Sequence, residues 1–308
     1  MVAPHNSGIL EGLRQISVWK RGSQRAPHKP LLLLLALAGV QRGEGRFLRF
    51  ADIQERLENL LIDFGPPRKS FHPEYPFWRL QNDGGFWEIP EREETIRLRG
   101  ERLRTGDVPA AILRRVNARG GFSEPVYEAL CSNPDQVGEL TAEILEEHFP
   151  PSLHESILDA VGMPWVPTGP RKSRRSAEFR EDLIRLYECR CAVCGFDGRI
   201  GIADFALEAV HVRWHAYGGP DVPENGVVMC SLHHKAFDRG ALGLSEDRTI
   251  IVSQHLRGGS QVEDTLIRFG GKAIAPPLEP DLAPAPLFIR WHRKEVFRDP
   301  PRRIQLHK

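Results

Sequence analysis

Two short stretches decide the fold of the second half of the chain: CAVC at residues 191–194 and CSLHH at residues 230–234. Each places two metal-binding side chains with two residues between them, a spacing that suits one edge of a tetrahedral zinc site. Together they supply four ligands, which is typical of a structural zinc ion with no open position for water. The predicted ligands are Cys191, Cys194, Cys230 and His233. We expect this Zn²⁺ to hold two loops of a small domain together.

Two other interpretations of CAVC fit less well. A redox pair of the thioredoxin kind follows a strand and begins a helix, whereas here a helix is predicted before the motif, at residues 177–188, and Gly195 follows it. A zinc deaminase carries H-x-E ahead of its P-C-x-x-C motif, and no such sequence precedes CAVC. Cys189 is the nearest competitor for a ligand position.

A second pattern of polar residues is interleaved with the zinc ligands. His211 ends a predicted strand in LEAVHV, Asn225 follows a Gly-Gly-Pro turn, and His234 opens a predicted helix that also carries Asp238. In order and spacing, CAVC, LEAVHV, GGPDVPENGVVMC and SLHHKAFDRG resemble the zinc-containing HNH nucleases, which have the ββα-metal fold. The resemblance implies a phosphodiesterase that uses a divalent cation, Mg²⁺ or Mn²⁺, alongside the structural zinc.

The same resemblance implies roles for individual residues. His211 is the expected general base, Asn225 is expected to pin the loop and orient that base, and His234 is expected to hold the catalytic cation. Many family members carry a metal-binding acid or histidine directly before the base, where this chain has Val210. We expect Asp238 to replace it. Glu208 is the other candidate, or fewer protein groups hold the metal.

The chain has 308 residues, of which 41% are hydrophobic and 27% charged, so two globular domains are expected. Its net charge of +1 argues neither for nor against a nucleic-acid partner. We predict a first domain at residues 1–162, a basic, proline-rich linker at 163–176 and a second domain at 177–308. The ten apolar residues after Pro30 are too few to span a membrane, and no secretory signal is visible, so a cytoplasmic protein is expected.

The first half is predicted to mix helices and strands, which makes the whole chain α+β. The leucine-rich run after Pro30 is apolar on every face and predicts a buried helix, and a second helix fits residues 52–64. Residues 77–80 and 86–89 flank an Asn-Asp-Gly-Gly turn and predict a hairpin, with a further strand at 96–99. In the second half, short strands are predicted at 207–212, 226–230, 248–253 and 265–269.

Two further stretches, APHKPLLLLLAL and SFHPEYPFWRLQNDGGFWEIP, resemble the sulfur-binding domain of phosphorothioate-dependent type IV restriction endonucleases. The resemblance continues to FIRWHRKEVFR and covers most of the chain. It implies binding to double-stranded DNA in which sulfur replaces a non-bridging phosphate oxygen. Tyr75 and Pro76 are expected to form an apolar pocket for the sulfur, with His72 nearby, because burying a hydrated phosphate oxygen against apolar groups costs roughly 1–3 kcal/mol.

The remaining phosphate oxygens are expected to contact His28 and Lys29, with Arg79 as a partner to phosphate or base. Tyr75-Pro76 can also be a plain turn before a strand. Together these features favour a restriction endonuclease that cuts near a phosphorothioate, and cutting of both strands suggests a homodimer or sequential nicking. The alternatives are an HNH endonuclease that reads methylated or unmodified DNA, and a non-catalytic zinc-containing DNA-binding protein.

Overall fold

The computed structural model describes residue 13 and residues 24–100, 106–163, 174–201 and 203–303. The chain separates into two compact units, residues 1–168 and 169–308. Both combine helices with short antiparallel strands, which confirms the predicted α+β class. Among the described residues, no helix is long and apolar enough to cross a membrane.

The described part of the first unit is mostly helical and contains one small sheet, in which β3 lies between β1 and β2. Its helices are α1 (His28–Gln41), α2 (Phe50–Phe64), α3 (Glu74–Arg79), α4 (Arg92–Arg99), α5 (Ala110–Arg115), α6 (Glu124–Ser132), α7 (Pro134–His148) and α8 (Pro151–Val161). Its strands are β1 (Phe47–Arg49), β2 (Trp87–Glu88) and β3 (Arg119–Phe122).

Helix α1 is the centre of the first unit, as the leucine run predicts. Every residue from Pro30 to Gly39 is buried, and α1 packs against α2, α3, α6, α7 and α8. A helix that is apolar on all sides needs neighbours on all sides, so the other helices surround it. The helix begins two residues before Pro30, which places His28 and Lys29 in its first turn.

The predicted hairpin around the Asn-Asp-Gly-Gly turn is wrong. Phe77 and Trp78 belong to helix α3, and Trp87 pairs instead with β3, a strand that the sequence analysis did not predict. Strand β3 begins Arg-Gly-Gly-Phe and has no alternating pattern. Its glycines are required by packing, because a Cβ on Gly120 would lie 2.8 Å from the Phe77 ring and 2.9 Å from the Trp87 ring.

The predicted strand at residues 96–99 is also wrong, because these residues form the second half of helix α4. Glu93 and Glu94 lie in the first turn of the helix, and Arg97 and Arg99 lie in the last. Acidic groups near the N-terminus and basic groups near the C-terminus both stabilise the helix dipole. The order of charges, acidic first and basic last, therefore indicates a helix here more reliably than the alternation of residue types indicated a strand.

The described part of the second unit contains three two-stranded sheets and four α-helices. Its strands are β4 (Arg199–Ile200), β5 (Ala203–Asp204), β6 (Leu207–His211), β7 (Gly226–Cys230), β8 (Leu242–Leu244) and β9 (Ile250–Val252). Its helices are α9 (Arg174–Leu186), α10 (Ser231–Asp238), α11 (Ser260–Thr265) and α12 (Pro286–Glu295). Of the linker predicted at 163–176, residues 164–173 lie outside the described ranges, and α9 begins at Arg174.

Strands β6 and β7 form the ladder that carries the chemistry of this unit. Their antiparallel register pairs Leu207 with Cys230 at one end and His211 with Gly226 at the other. Helix α9 covers the ladder, and a Cβ on Gly226 would lie 2.4 Å from the Leu183 side chain. Helix α10 starts directly after Cys230. The strand–strand–helix order expected for residues 207–239 is therefore present.

The strand predicted at residues 265–269 is not formed. Thr265 ends helix α11, and Ile267–Phe269 form a turn of 3₁₀ helix. The Thr265 carbonyl accepts a hydrogen bond from His233, and the Phe269 ring meets the His233 ring edge to face at 5.4 Å. This segment contacts His233, which is about 30 residues away in the sequence. The residue pattern of the segment itself carries no sign of these contacts.

The packing of α1 predicts a large, local response to truncation. Leu34→Ala removes a fully buried side chain and should lower the free energy of unfolding of the first unit by about 2–5 kcal/mol. Leu98→Ala, at a side chain that is 37% exposed, should change it by less than about 0.5 kcal/mol. Hydrogen exchange of peptides from α1 and from β7 measures the two units separately. An equal effect of both substitutions would contradict the central place of α1.

Candidate functional site

Asn225 holds the loop between β6 and β7 closed. Its Oδ1 accepts a hydrogen bond from the Arg213 backbone N–H at 2.8 Å, and its Nδ2 donates to the carbonyls of Arg213 and Pro220, both at 3.0 Å. The side chain is completely buried. A Cβ on Gly219 would lie 1.8 Å from the Arg213 carbonyl oxygen, so the loop closes only with glycine there. The loop therefore has a defined shape next to His211.

His211 lies at the end of β6 and is fixed from two sides. Its ring stacks on Phe179 of helix α9, with 4.3 Å between centroids, and its Nε2 is 2.8 Å from Asp221 Oδ1. A carboxylate accepts only, so Nε2 carries the hydrogen and donates it. The lone pair is then on Nδ1, which is the atom that can accept a proton.

The pKa of His211 is lowered from its ordinary value, mainly by burial. The hydrogen bond to Asp221 and the charge of Asp238 raise it, but by less. The imidazole is therefore neutral at neutral pH, which is the form that a general base requires. Asp221 was not among the predicted site residues; its place in the Gly-Gly-Pro-Asp turn was the available signal.

His234, in the first turn of α10, lies between two carboxylates. Its Nε2 is 2.8 Å from Asp238 Oδ2, and its Nδ1 contacts Glu208 Oε2. Burial lowers the pKa of His234, but the charges of Asp238 and Glu208 outweigh it and raise the pKa to about 10. The two carboxylates therefore favour positive charge at His234. The carboxylate oxygens beside His234 are ligands that suit Mg²⁺ or Mn²⁺.

The two carboxylates beside His234 differ in their surroundings. Asp238 is buried, and its second oxygen accepts a hydrogen bond from Trp214 Nε1 at 2.8 Å. Glu208 is more exposed and accepts a second hydrogen bond from Ser231 Oγ at 2.5 Å. Val210, at the position where many related nucleases have a metal ligand, is fully buried in the hydrophobic core. The two acidic groups near His234 are therefore Glu208, which lies on β6 two positions before Val210, and Asp238, which lies on α10.

The four predicted zinc ligands form one cluster. Their ligand atoms all lie within 4.8 Å of one another, and among the described residues no other group of three or more His, Cys, Asp or Glu does so. The cluster joins the turn after α9 to the start of α10 through Cys191, Cys194, Cys230 and His233. Cys189, the predicted competitor, is not part of it.

The orientation of His233 also suits a metal. Its Nδ1 lies 3.0 Å from Cys230 Sγ, and its Nε2 donates to the Thr265 carbonyl at 2.9 Å. A hydrogen bond of this kind fixes which ring nitrogen carries the proton and leaves the other as a ligand. Hydrogen bonds from Cys194 and Cys230 lower the pKa of Cys191. The thiolate is the form of cysteine that binds zinc.

The first unit contains a cavity of about 450 Å³ next to the start of α1. Five of the six predicted DNA- or sulfur-binding residues line it: His28, Lys29, Tyr75, Pro76 and Arg79. The sequence analysis missed its other lining residues, which are Gln24, Arg25, Ala26 and Arg68. Gln24, Arg25 and Arg68 lie outside the two motifs that carried the prediction, and Ala26 is the first residue of one of them.

Tyr75 and Pro76 are in helix α3 and not in a turn before a strand. Pro76 is buried, and Tyr75 is partly buried. The sixth predicted residue, His72, does not line the cavity but stacks on the Tyr75 ring, with centroids 4.6 Å apart. Arg79 lies over the same ring, 4.8 Å from its centroid. These contacts fix the Tyr75 ring, which lines the cavity beside Pro76 and several basic side chains.

His28 is neutral at this cavity. Burial and the nearby charges of Arg68, Arg79 and His72 lower its pKa to about 4. At neutral pH it can therefore offer a hydrogen bond but no positive charge. The charge of the wall comes from Lys29 and the arginines.

The chain was compared with known families and structures. Residues 6–165 match the family described as ScoMcrA-like, DNA sulfur-binding domain, and residues 191–245 match HNH endonuclease. No curated protein gives a significant match.

Several solved structures resemble parts of the chain. The sulfur-binding domain of ScoMcrA complexed with phosphorothioated DNA is 21% identical, over 50% of this chain and 94% of that one, with a TM-score of 0.42. The sulfur-binding domain of SprMcrA complexed with phosphorothioated DNA is 23% identical. The match covers 50% of this chain and 91% of that one, with a TM-score of 0.38. The type IV phosphorothioation-dependent restriction endonuclease ScoMcrA is 20% identical. The match covers 56% of this chain and 34% of that one, with a TM-score of 0.40.

The family assignment rests on the two sequence matches and not on these structural similarities. One match covers just over half of the chain, and the second covers the ladder and helix that carry His211, Asn225 and His234. The chain therefore belongs to the family with a ScoMcrA-like DNA sulfur-binding domain, and the HNH domain that follows makes it a DNA endonuclease.

Proposed function

We propose that this protein is a type IV restriction endonuclease that binds double-stranded DNA through a phosphorothioate and hydrolyses phosphodiester bonds near it. The observation that carries the proposal is the presence, in one chain, of a basic cavity with an apolar wall and of a neutral histidine aligned by a carboxylate. The first can select a modified backbone, and the second can activate water.

The cavity suits a thio-substituted phosphate on physical grounds. Sulfur is larger and less hydrated than oxygen, so its contact with Tyr75 and Pro76 loses little hydration, whereas a phosphate oxygen there would lose roughly 1–3 kcal/mol. Lys29, Arg68 and Arg79 line the same cavity. Arg68 can balance the charge that any phosphate carries, whereas Lys29 and Arg79 already form ion pairs with carboxylates of the chain. A reader of methylated bases would need a pocket for a base, and no observation favours one here.

In the proposed reaction, Nδ1 of His211 takes a proton from a water molecule while the water oxygen attacks phosphorus. Asp221 holds the resulting imidazolium in place through its hydrogen bond to Nε2. The bond from phosphorus to the leaving oxygen breaks, and that oxygen is protonated from solvent. Asn225 keeps the loop that contains Asp221 in position.

His234 Nε2 and Asp238 are the groups that we propose to hold the catalytic Mg²⁺ or Mn²⁺. The charge of Asp238 acts on the pKa values of both His234 and His211, so this side of the His234 ring is electrically coupled to the base. Glu208, on Nδ1, would then orient the ring, as carboxylates behind metal-binding histidines do. When bound, such an ion stabilises negative charge on the phosphate and the leaving oxygen.

Two parts of the proposal concern the protein as a whole. One His211 centre acts on one strand at a time, so we propose that two copies meet on the DNA, or that one copy nicks the strands in turn. We also propose a cytoplasmic location, where a restriction enzyme meets its DNA.

Cleavage of matched duplexes tests the proposed function. With Mg²⁺ or Mn²⁺, the protein should cut a duplex with one phosphorothioate and leave the same unmodified sequence intact. His211→Ala should slow cutting at least about a hundredfold and leave duplex binding unchanged in a gel-shift assay. His255→Ala, at an exposed histidine of the same unit, is the matched control. Equal cutting of both duplexes would contradict the proposed specificity. Full activity of His211→Ala would contradict the assignment of His211 as the base.

Asp221→Asn should change the pH dependence of cutting. Asp221 raises the pKa of His211, so its neutralisation should lower that pKa further and move the acidic limb of the rate profile to lower pH. The weaker base should also lower the plateau rate by about tenfold or more. Asp221→Glu should restore part of both. An acidic limb that stays in place would exclude Asp221 as the partner of the base.

Cys191→Ser should remove zinc and the structure that depends on it. We propose that the four-ligand cluster binds about one Zn²⁺ per chain, and that its loss unfolds the second unit because binding and folding are coupled. Elemental analysis and hydrogen exchange of β7 measure the two effects. Cys131→Ser, at an exposed cysteine of the first unit, should change neither. Retention of zinc with normal protection of β7 would contradict a structural metal at this cluster.

A further inference from the structure

Two of the cations that line the cavity of the first unit are already bonded to carboxylates of the chain. Lys29 Nζ donates to Asp83 Oδ2 at 2.5 Å. Arg79 donates to Asp107 through Nε and Nη2, both at 2.7 Å. Neither Asp83 nor Asp107 is among the residues that line the cavity, so these hydrogen bonds join the two cations to carboxylates outside the cavity lining.

Both carboxylates are well shielded from water. The side chain of Asp83 is 8% exposed and that of Asp107 is 13% exposed. Ion pairs at such positions are screened less by salt than pairs on the open surface. The Lys29 side chain is itself only 16% exposed, so its pair with Asp83 is shielded on both sides. The Arg79 side chain is 47% exposed, and its pair with Asp107 is held instead by two hydrogen bonds.

Arg79 is also restrained by its ring contact. The guanidinium lies over Tyr75, 4.8 Å from the ring centroid, while one edge is fully used by Asp107. Two restraints on one planar group fix its orientation. Arg79 thus presents its flat, apolar-tolerant face toward the cavity wall, while two of its N–H donors are directed at Asp107.

From this arrangement we propose that Asp83 and Asp107 set the preference of the cavity for sulfur over oxygen, by withholding the charge of Lys29 and Arg79 from the bound phosphate. The inference rests on the proposed function and names the residues that make the cavity selective for sulfur. Both act through another side chain and are therefore positioning residues.

The physical reason is that specificity is a difference between two affinities. An unpaired cation in the cavity would donate hydrogen bonds to a phosphate oxygen and compensate the hydration that the oxygen loses there. Sulfur accepts hydrogen bonds weakly and loses little hydration, so it gains less from the same cation. Pairing the cations with carboxylates therefore weakens binding of ordinary DNA more than binding of thiolated DNA.

Binding of two matched duplexes by the full chain tests the inference. The duplexes differ only by one phosphorothioate, and Kd is measured at several salt concentrations without a catalytic cation. For Asp107→Asn we expect the Kd of the unmodified duplex to fall about tenfold and that of the thiolated duplex by less than about threefold. The log–log salt dependence for the unmodified duplex should steepen by about 0.9, which corresponds to one further phosphate contact. Asp83→Asn should act in the same direction.

Three further variants separate the proposed role from general effects. Asp52→Asn removes the same charge from an exposed side chain of the first unit and should keep the wild-type ratio of the two Kd values. Asp107→Glu retains the charge and should also keep it. Asp107→Asn combined with Arg79→Gln should recover most of the discrimination, because the released cation is then gone.

The outcomes distinguish this inference from the proposed function. If the wild-type protein binds both duplexes equally, the proposed function fails. If the wild-type protein prefers the thiolated duplex and neither Asp107→Asn nor Asp83→Asn lowers that preference, only the inference is overturned. It is also overturned if Asp52→Asn lowers the preference as much, because bulk charge would then explain the effect.

Discussion

The antiparallel register of β6 and β7 is the constraint on which the second unit depends. It pairs Leu207 with Cys230 and His211 with Gly226, so one end of a five-residue ladder carries a member of the cysteine–histidine cluster and the other end carries the proposed base. A slip by one residue would move every side chain to the opposite face and separate both groups from their partners. The buried valines of β7, and Gly226 against Leu183, hold the register in place.

In both units, carboxylates hold a basic or titratable group in place. In the second unit, Asp221 fixes the tautomer of His211, and Asp238 and Glu208 enclose His234. In the first unit, Asp83 and Asp107 engage Lys29 and Arg79. The roles that we propose for these carboxylates differ. In the second unit they position a proton on a histidine, and in the first unit they withhold the charge of Lys29 and Arg79 from the DNA. In both cases the acid acts through the side chain that we propose to act on the DNA.

Sequence patterns predicted the elements whose periodicity is strong and whose contacts are local. The buried leucine helix, the two strands of the ladder and helix α10 were all found where expected. The predictions failed where distant contacts decide. Phe77 and Trp87 are not partners in a hairpin, because both pack against the glycines of β3, about 40 and 30 residues later. Residues 265–269 form no strand, because they meet His233 instead.

The sequence by itself determined the kinds of chemistry, since ligand spacing and residue order survive any detail of folding. Cys191, Cys194, Cys230, His233, His211, Asn225 and His234 were all identifiable from type and interval. Only the tertiary structure decided which neighbours act on them. Asp221 is ten residues from His211, Asp83 is 54 from Lys29, and Asp107 is 28 from Arg79. No local rule links such pairs, because a hydrogen bond depends on distance in space and the fold alone brings these atoms together.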